Sequence, residues 1–194
     1  MGLDRVVYGH AANTVTVDRL DDGALRVQGP GDTVDLLWNI ERLRFADITL
    51  AFDLAEGQSA NQAARVVTAL VGSETLSDRP LMRDVVEHMD RLGFEAVTSL
   101  LVDSGMAAHY AGSTDIEALV ATVFANLQGS NGTAEDLQWH QDFVAEAGWS
   151  AVEVLRFAAQ HPLAAERMDL VELTGQGLAY ATTYYNVFNF MDGS

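Results

Sequence analysis

Gly93-Phe94-Glu95-Ala96-Val97 returns as Gly148-Trp149-Ser150-Ala151-Val152, 55 residues later (148 − 93). Each copy follows a long amphipathic stretch and precedes a short apolar one. A glycine placed there closes one helix and lets the next begin, because it adopts positive φ without a steric penalty. Duplicated supersecondary units bury, against one another, faces that neither could bury alone. The phrase therefore predicts two related helical units, at about 60–112 and 115–174.

Helical periodicity predicts helices over roughly 60–71, 79–91, 94–103, 115–128, 134–147, 150–160 and 163–174. The stripe of the fourth is Ile116, Leu119, Val120, Val123, Phe124 and Leu127; the sixth has Val152, Leu155 and Phe157. Ser59 with Gln62, Thr114 with Glu117 and Ser150 with Glu153 have the form of capping boxes, and Thr133 with Asp136 is a shorter version. Leu178 to Met191 is aromatic (Tyr180, Tyr184, Tyr185, Phe188, Phe190) and is expected to add a last helix or strand packed on the body.

Before residue 58 the period changes. Val6–Tyr8, Thr14–Val17, Ala24–Val27, Val34–Trp38, Ile40–Phe45 and Ile48–Phe52 are short, apolar and separated by turn signals such as Asp22-Gly23. The fold class is α+β: a small N-terminal antiparallel β module over 1–57, then a mostly α-helical module over 58–194 built of two related units with an aromatic C-terminal segment.

Composition bounds the function. The chain carries 28 acidic residues against 11 basic ones, all arginine, for a net charge of −17. Such a surface repels phosphate backbones and anionic membranes, so no nucleic-acid partner is expected. No apolar run approaches the ~18 residues of a membrane span, and no basic-then-apolar N-terminal signal is visible. Cysteine is absent, which excludes disulfides, thiolate metal sites and cysteine nucleophiles.

The second unit runs from Ala118–Asn126 through Leu127-Gln128-Gly129, Leu137-Gln138-Trp139 and Gly148 to Val154–Pro162. This wording resembles the helical repeat catalogued as domain of unknown function 4214, and Leu36–Asp53 is similar to the β segment that often precedes it. The resemblance covers most of the chain. That family's Gly-Arg-x-x-Asp turn is replaced by Gly129-Ser130-Asn131-Gly132 in one unit and Gly72-Ser73-Glu74-Thr75 in the other. At the 55-residue spacing, Asp84 stands where the second unit has Trp139. No RTX nonapeptide repeat is present. The resemblance implies export through a one-step type I system with an uncleaved C-terminal signal, and an extracellular or cell-surface location. It brings no activity with it.

Candidate chemistry is thin. Asp18, Asp21, Asp22 and Asp32 lie in loops of the β part and Asp47 and Asp53 flank its last strand, so these six are the candidate metal ligands, with calcium as the one cofactor considered. Asp136 with His140, and Asp84 with Glu87-His88, share helix faces but lack a third ligand, so solvated helix faces are expected there. His161 before Pro162 is expected to sit at a helix C-terminus as a macrodipole partner. No nucleophile elbow or phosphate loop exists. Trp38, Trp139 and Trp149, with Tyr184 and Tyr185, could stack on sugar, but Trp139 beside Leu137 and Phe143, and Trp149 in the place of Phe94, are expected in the core. The expected function is a non-enzymatic interaction or scaffold module with a protein or cell-surface glycan partner. The alternative is an exported enzyme or toxin whose site is assembled from scattered acidic and His residues.

Overall fold

A computed structural model describes residues 2–31 and 33–183; Asp32, Tyr184, Tyr185, Phe188, Phe190 and Met191–Ser194 lie outside the described residues. The chain is α+β, with strands first and helices after. Its strands are β1 (Arg5–Val7), β2 (Thr16–Arg19), β3 (Leu25–Gln28), β4 (Val34–Leu37), β5 (Arg42–Arg44), β6 (Ile48–Ala51) and, past the helices, β7 (Leu178–Ala181).

They make two sheets. β2, β3 and β4 form an antiparallel meander, and Asp22 Oδ1 closes its first turn by accepting the Ala24 N–H at 3.0 Å. The second sheet has the order β1-β5-β6-β7. In it β5, β6 and β7 are antiparallel neighbours, but β1 runs parallel to β5, unlike the all-antiparallel expectation. Alternation along β6 sends Ile48, Leu50 and Phe52 toward Leu25, Val27, Leu43 and Phe45 between the sheets, while Ala51 joins the helical core. β7 pairs with β6, so residues 1–57 do not complete their own sheet. The chain enters β7 through Gly177 at φ 80, where a Cβ would lie 2.9 Å from Phe52 Cζ.

The helices are α1 (Ser59–Leu70), α2 (Arg79–Leu92), α3 (Phe94–Asp103), α4 (Met106–Ala111), α5 (Ile116–Gln128), α6 (Ala134–Ala147), α7 (Ala151–Gln160), α8 (Pro162–Arg167) and α9 (Leu170–Gln176). Two stretches run in one order: a long helix, a 3-10 turn, a helix of 14 residues, one of 10 and one of 6. They are α1 to α4 and α5 to α8. The helix expected at 163–174 is broken by Asp169, whose φ is 48.

α1 is the central rod. Ala60, Ala63, Ala64, Val66, Val67, Ala69 and Leu70 are all buried, and these small side chains let α2, α5 and α7 approach on different sides. Polar side chains finish the helix ends that meet there. Arg65 donates to the carbonyls of Ala159 and Gln160, Asn126 to Ala69 O, and Arg167 to Leu127 O and Gln128 O. C-terminal carbonyls have no partner within their own helix, and a cation or an amide there supplies one.

Candidate functional site

The capping boxes of Thr133 with Asp136 and of Ser150 with Glu153 both form and fix the starts of α6 and α7. Thr133 donates its hydroxyl and its N–H to Asp136, which holds that carboxyl below its ordinary range. Glu153 is held down in the same way by the Ser150 N–H and hydroxyl. Ser59 and Thr114 do not cap: α1 and α5 follow Gln58 and Asp115, neither with a side-chain cap bond. The α1 end is closed from outside instead, by Asp53, which accepts the Ala60 N–H at 3.0 Å through Oδ2.

Between the two capped starts, Gly148 turns the chain at φ 63, and the aromatic side chains fall into a row. Trp139 stacks on Phe143 with ring centres 5.6 Å apart. Phe143 meets the edge of Trp149 at 5.2 Å, Trp149 lies 5.1 Å from Phe157, and Phe157 lies 5.9 Å from His161. Trp139 is 61% exposed, Phe143 41% and Phe157 51%. This overturns the core expectation for Trp139 and Phe143 and removes Phe157 from the α7 stripe; Trp149 is half-buried against the core, whereas Phe94 is buried. Under the row, Val120, Phe124, Phe143, Val144, Trp149 and Leu163 help to line an apolar cavity of about 70 Å³.

His140 and His161 edge this cavity. His140 Nδ1 bonds the Asp136 backbone oxygen at 2.7 Å, while the Asp136 carboxylate serves the cap through Oδ2. His161 stands at the C-cap of α7, as expected, and there accepts the Leu163 N–H at 3.3 Å through Nδ1, so its ring also caps the start of α8.

At the matching positions in the first stretch, Asp84 is 0% exposed and His88 is 9%, on α2 against α1 and β7, so these are not the solvated side chains expected. His88 Nδ1 bonds Asp84 O at 2.7 Å. Nearby, Arg42 is fully buried and ion-paired with Asp53 and, at 3.0 Å, with Asp90, which ties the β5–β6 region to α2. Burial pushes the Tyr180 phenol up beside them.

Of the six candidate metal ligands, the five described ones are not grouped. Asp18 pairs with Arg26 at 2.6 Å, and Asp21 and Asp22 stand in the exposed β2–β3 turn. Asp47 accepts the Ala12 N–H at 2.8 Å, which lowers its carboxyl, and Asp53 is held by Arg42. Asp32 lies outside the described residues. Among the described residues no three His, Cys, Asp or Glu side chains are grouped to hold a metal ion.

One further cleft, of about 320 Å³, opens between the sheets and the start of α1, with Arg19, Trp38, Asn39, Glu41 and Gln58 on its walls. Trp38 is exposed there, and Asn39 has φ 56. Among the described residues no helix is long and apolar enough to cross a membrane. Comparison with protein-family models, with curated proteins and with solved structures finds no match to this chain.

Proposed function

We propose that this chain is a non-enzymatic interaction module that docks a partner protein on the aromatic row of α6 and α7, within an exported bacterial protein acting at or near the cell surface. One observation carries the docking: Trp139 and Phe143 stand open to solvent at the positions where the first stretch buries Asp84 and His88. A continuous exposed aromatic patch on an otherwise strongly charged protein is unfavourable in water unless something covers it. Tyr, Trp and Phe with their ring faces free are also the side chains that dominate interface energies. Export is supported by the absence of cysteine, the acidity and the resemblance to a repeat found in exported proteins.

A glycan partner is a second reading, favoured by the polar cleft around Trp38, where an exposed indole adjoins amide, guanidinium and carboxylate groups. The enzyme or toxin alternative needs acids and His to converge on one reacting centre, and the lowered carboxyls of Asp136 and Glu153 are explained by helix caps.

The test is a photo-reactive benzoylphenylalanine placed at position 139 or at position 38 in producing cells. Discrete protein adducts from 139 that vanish in Phe143→Asp support the reading. Adducts from 38 alone move the interaction to the β part. No adduct from either position removes the proposal.

A further inference from the structure

We infer that the occupant of the α6–α7 face is a cationic amphipathic helix of another protein, an inference that rests on the docking reading above. Three observations define the occupant: the length of the row, the size of the cavity beneath it, and the charge around it.

The row from Trp139 to His161 advances in four ring-to-ring steps, each between 5.1 and 5.9 Å. It is therefore at most about 22 Å long, a length that about 14 residues of helix at 1.5 Å per residue would span. The cavity of about 70 Å³ is far smaller than the ~300 Å³ or more of a small-molecule pocket. It has room for a single anchor side chain. An elongated apolar row with one anchor hole is the surface that helix-in-groove recognition uses.

Charge selects the partner. Between residues 115 and 174 there are ten acidic residues and two arginines. Both arginines face elsewhere: Arg156 bonds Thr98, Ser99, Glu95 O and the Glu95 carboxylate, and Arg167 bonds carbonyls at the end of α5. On α6, Glu135, Asp142 and Glu146 are exposed within three or four positions of Trp139 or Phe143, so they rim the aromatic pair. α6 contains no arginine or lysine. A second copy of this chain would bring the same acids against themselves, and an anionic lipid surface would be repelled likewise. A helix with an apolar stripe and Lys or Arg beside it satisfies both the row and the rim.

The experiment uses the full chain labelled with ¹⁵N and follows its three indole N–H signals. The probe is a synthetic 14-residue Leu/Lys peptide with leucines at helical spacing. Controls are the same pattern with Glu for Lys, a scrambled Leu/Lys peptide, and phosphatidylcholine vesicles. The expected result is a saturable shift of Trp139 and Trp149 with Trp38 unmoved, given by the helical cationic peptide alone. Phe143→Asp should lose the shift with its melting temperature unchanged within a few degrees, even though it makes the protein more acidic. The pair Asp142→Asn with Glu146→Gln should weaken binding by about three- to tenfold at low salt, with the gap closing at high salt.

Equal binding of the Glu peptide, or of the scrambled one, overturns the inference. So does response to vesicles alone, or a concentration-dependent dimer that Phe143→Asp dissolves. If the Leu/Lys peptide fails while the photo-adducts at 139 persist, the cationic helix is wrong and the docking reading stands. If both fail, the docking reading falls too.

Discussion

α2–α3 and α6–α7 are built alike and finished in opposite ways. Both pairs are a 14-residue helix followed by a 10-residue helix, joined at a glycine of positive φ. α2 buries Leu81, Met82, Val85, Val86 and Met89 together with Asp84 and His88, under α1 and β7. α6 buries only Val144 and exposes Trp139 and Phe143. One pair puts polar groups inside, where the Arg42 network lies close by. The other leaves aromatics outside, where nothing among the described residues covers them. The lesson is that a helical pair can serve as interior or as surface depending on what the rest of the chain lays over it. Here β7, which completes the main sheet, packs on α2 of the first pair and not on α6 of the second.

That contrast can be broken in four ways, taken from the largest effect down. Arg42→Ala strips the partner from buried Asp53 and half-buried Asp90, and should cost about 3–5 kcal/mol in urea unfolding. A loss below 1 kcal/mol would mean the network does not fasten the β part to α2. Phe94→Ala should cost about 3–4 kcal/mol, and Trp149→Ala roughly half of that, because Trp149 is only half-buried. Equal losses would erase the asymmetry between the two copies. Trp139→Ser and Phe157→Ser should each change stability by less than about 0.5 kcal/mol, while Trp139→Ser abolishes the peptide shift of Trp149 and Phe157→Ser abolishes the photo-adducts from position 139. A large loss of stability from either would place these rings in the core.

The smallest effect is with acid. The Asp136 and Glu153 carboxyls lie below their ordinary values in the folded protein, so what they contribute is present above the ordinary carboxylate range and is lost as pH falls through the lowered values. α3 has no side-chain cap at all. Amide exchange in the first turns of α6 and α7 should therefore accelerate at low pH relative to the first turn of α3. Parallel behaviour of the three helices would show that the boxes do not hold those ends.

The repeat phrase, the strands and most helix boundaries were legible because their causes are local. A glycine at positive φ or a hydroxyl with a carboxylate three residues on acts within one turn of chain, as at Thr133, Gly148 and Ser150. Even so, local form was not sufficient at Ser59, where Asp53 arrived from outside to take the Ala60 amide. The candidate site was less legible. Trp139 and Phe157 lie beside stripe residues, and a stripe states which side chains are apolar without stating what will lie over them. Asp53 was read as a metal ligand because it is acidic and next to a strand. Its partners, Arg42 and the start of α1, meet it only after the sheet packs on α1 and α2.

By itself, then, the sequence determined the α+β order, the duplicated helical phrase, the turns between elements and an acidity that disfavours nucleic acid. Each of these follows from backbone stereochemistry, side-chain period or summed charge, none of which requires knowing what is nearby in space. Only the tertiary structure decided that Asp84 and His88 are interior, that Trp139, Phe143 and Phe157 are surface, and that the fourth strand of the main sheet comes from beyond the helices. Burial is a property of pairs of surfaces. Whether a helix face is buried depends on the segment that returns to cover it, and β7 returns over α2 and not over α6.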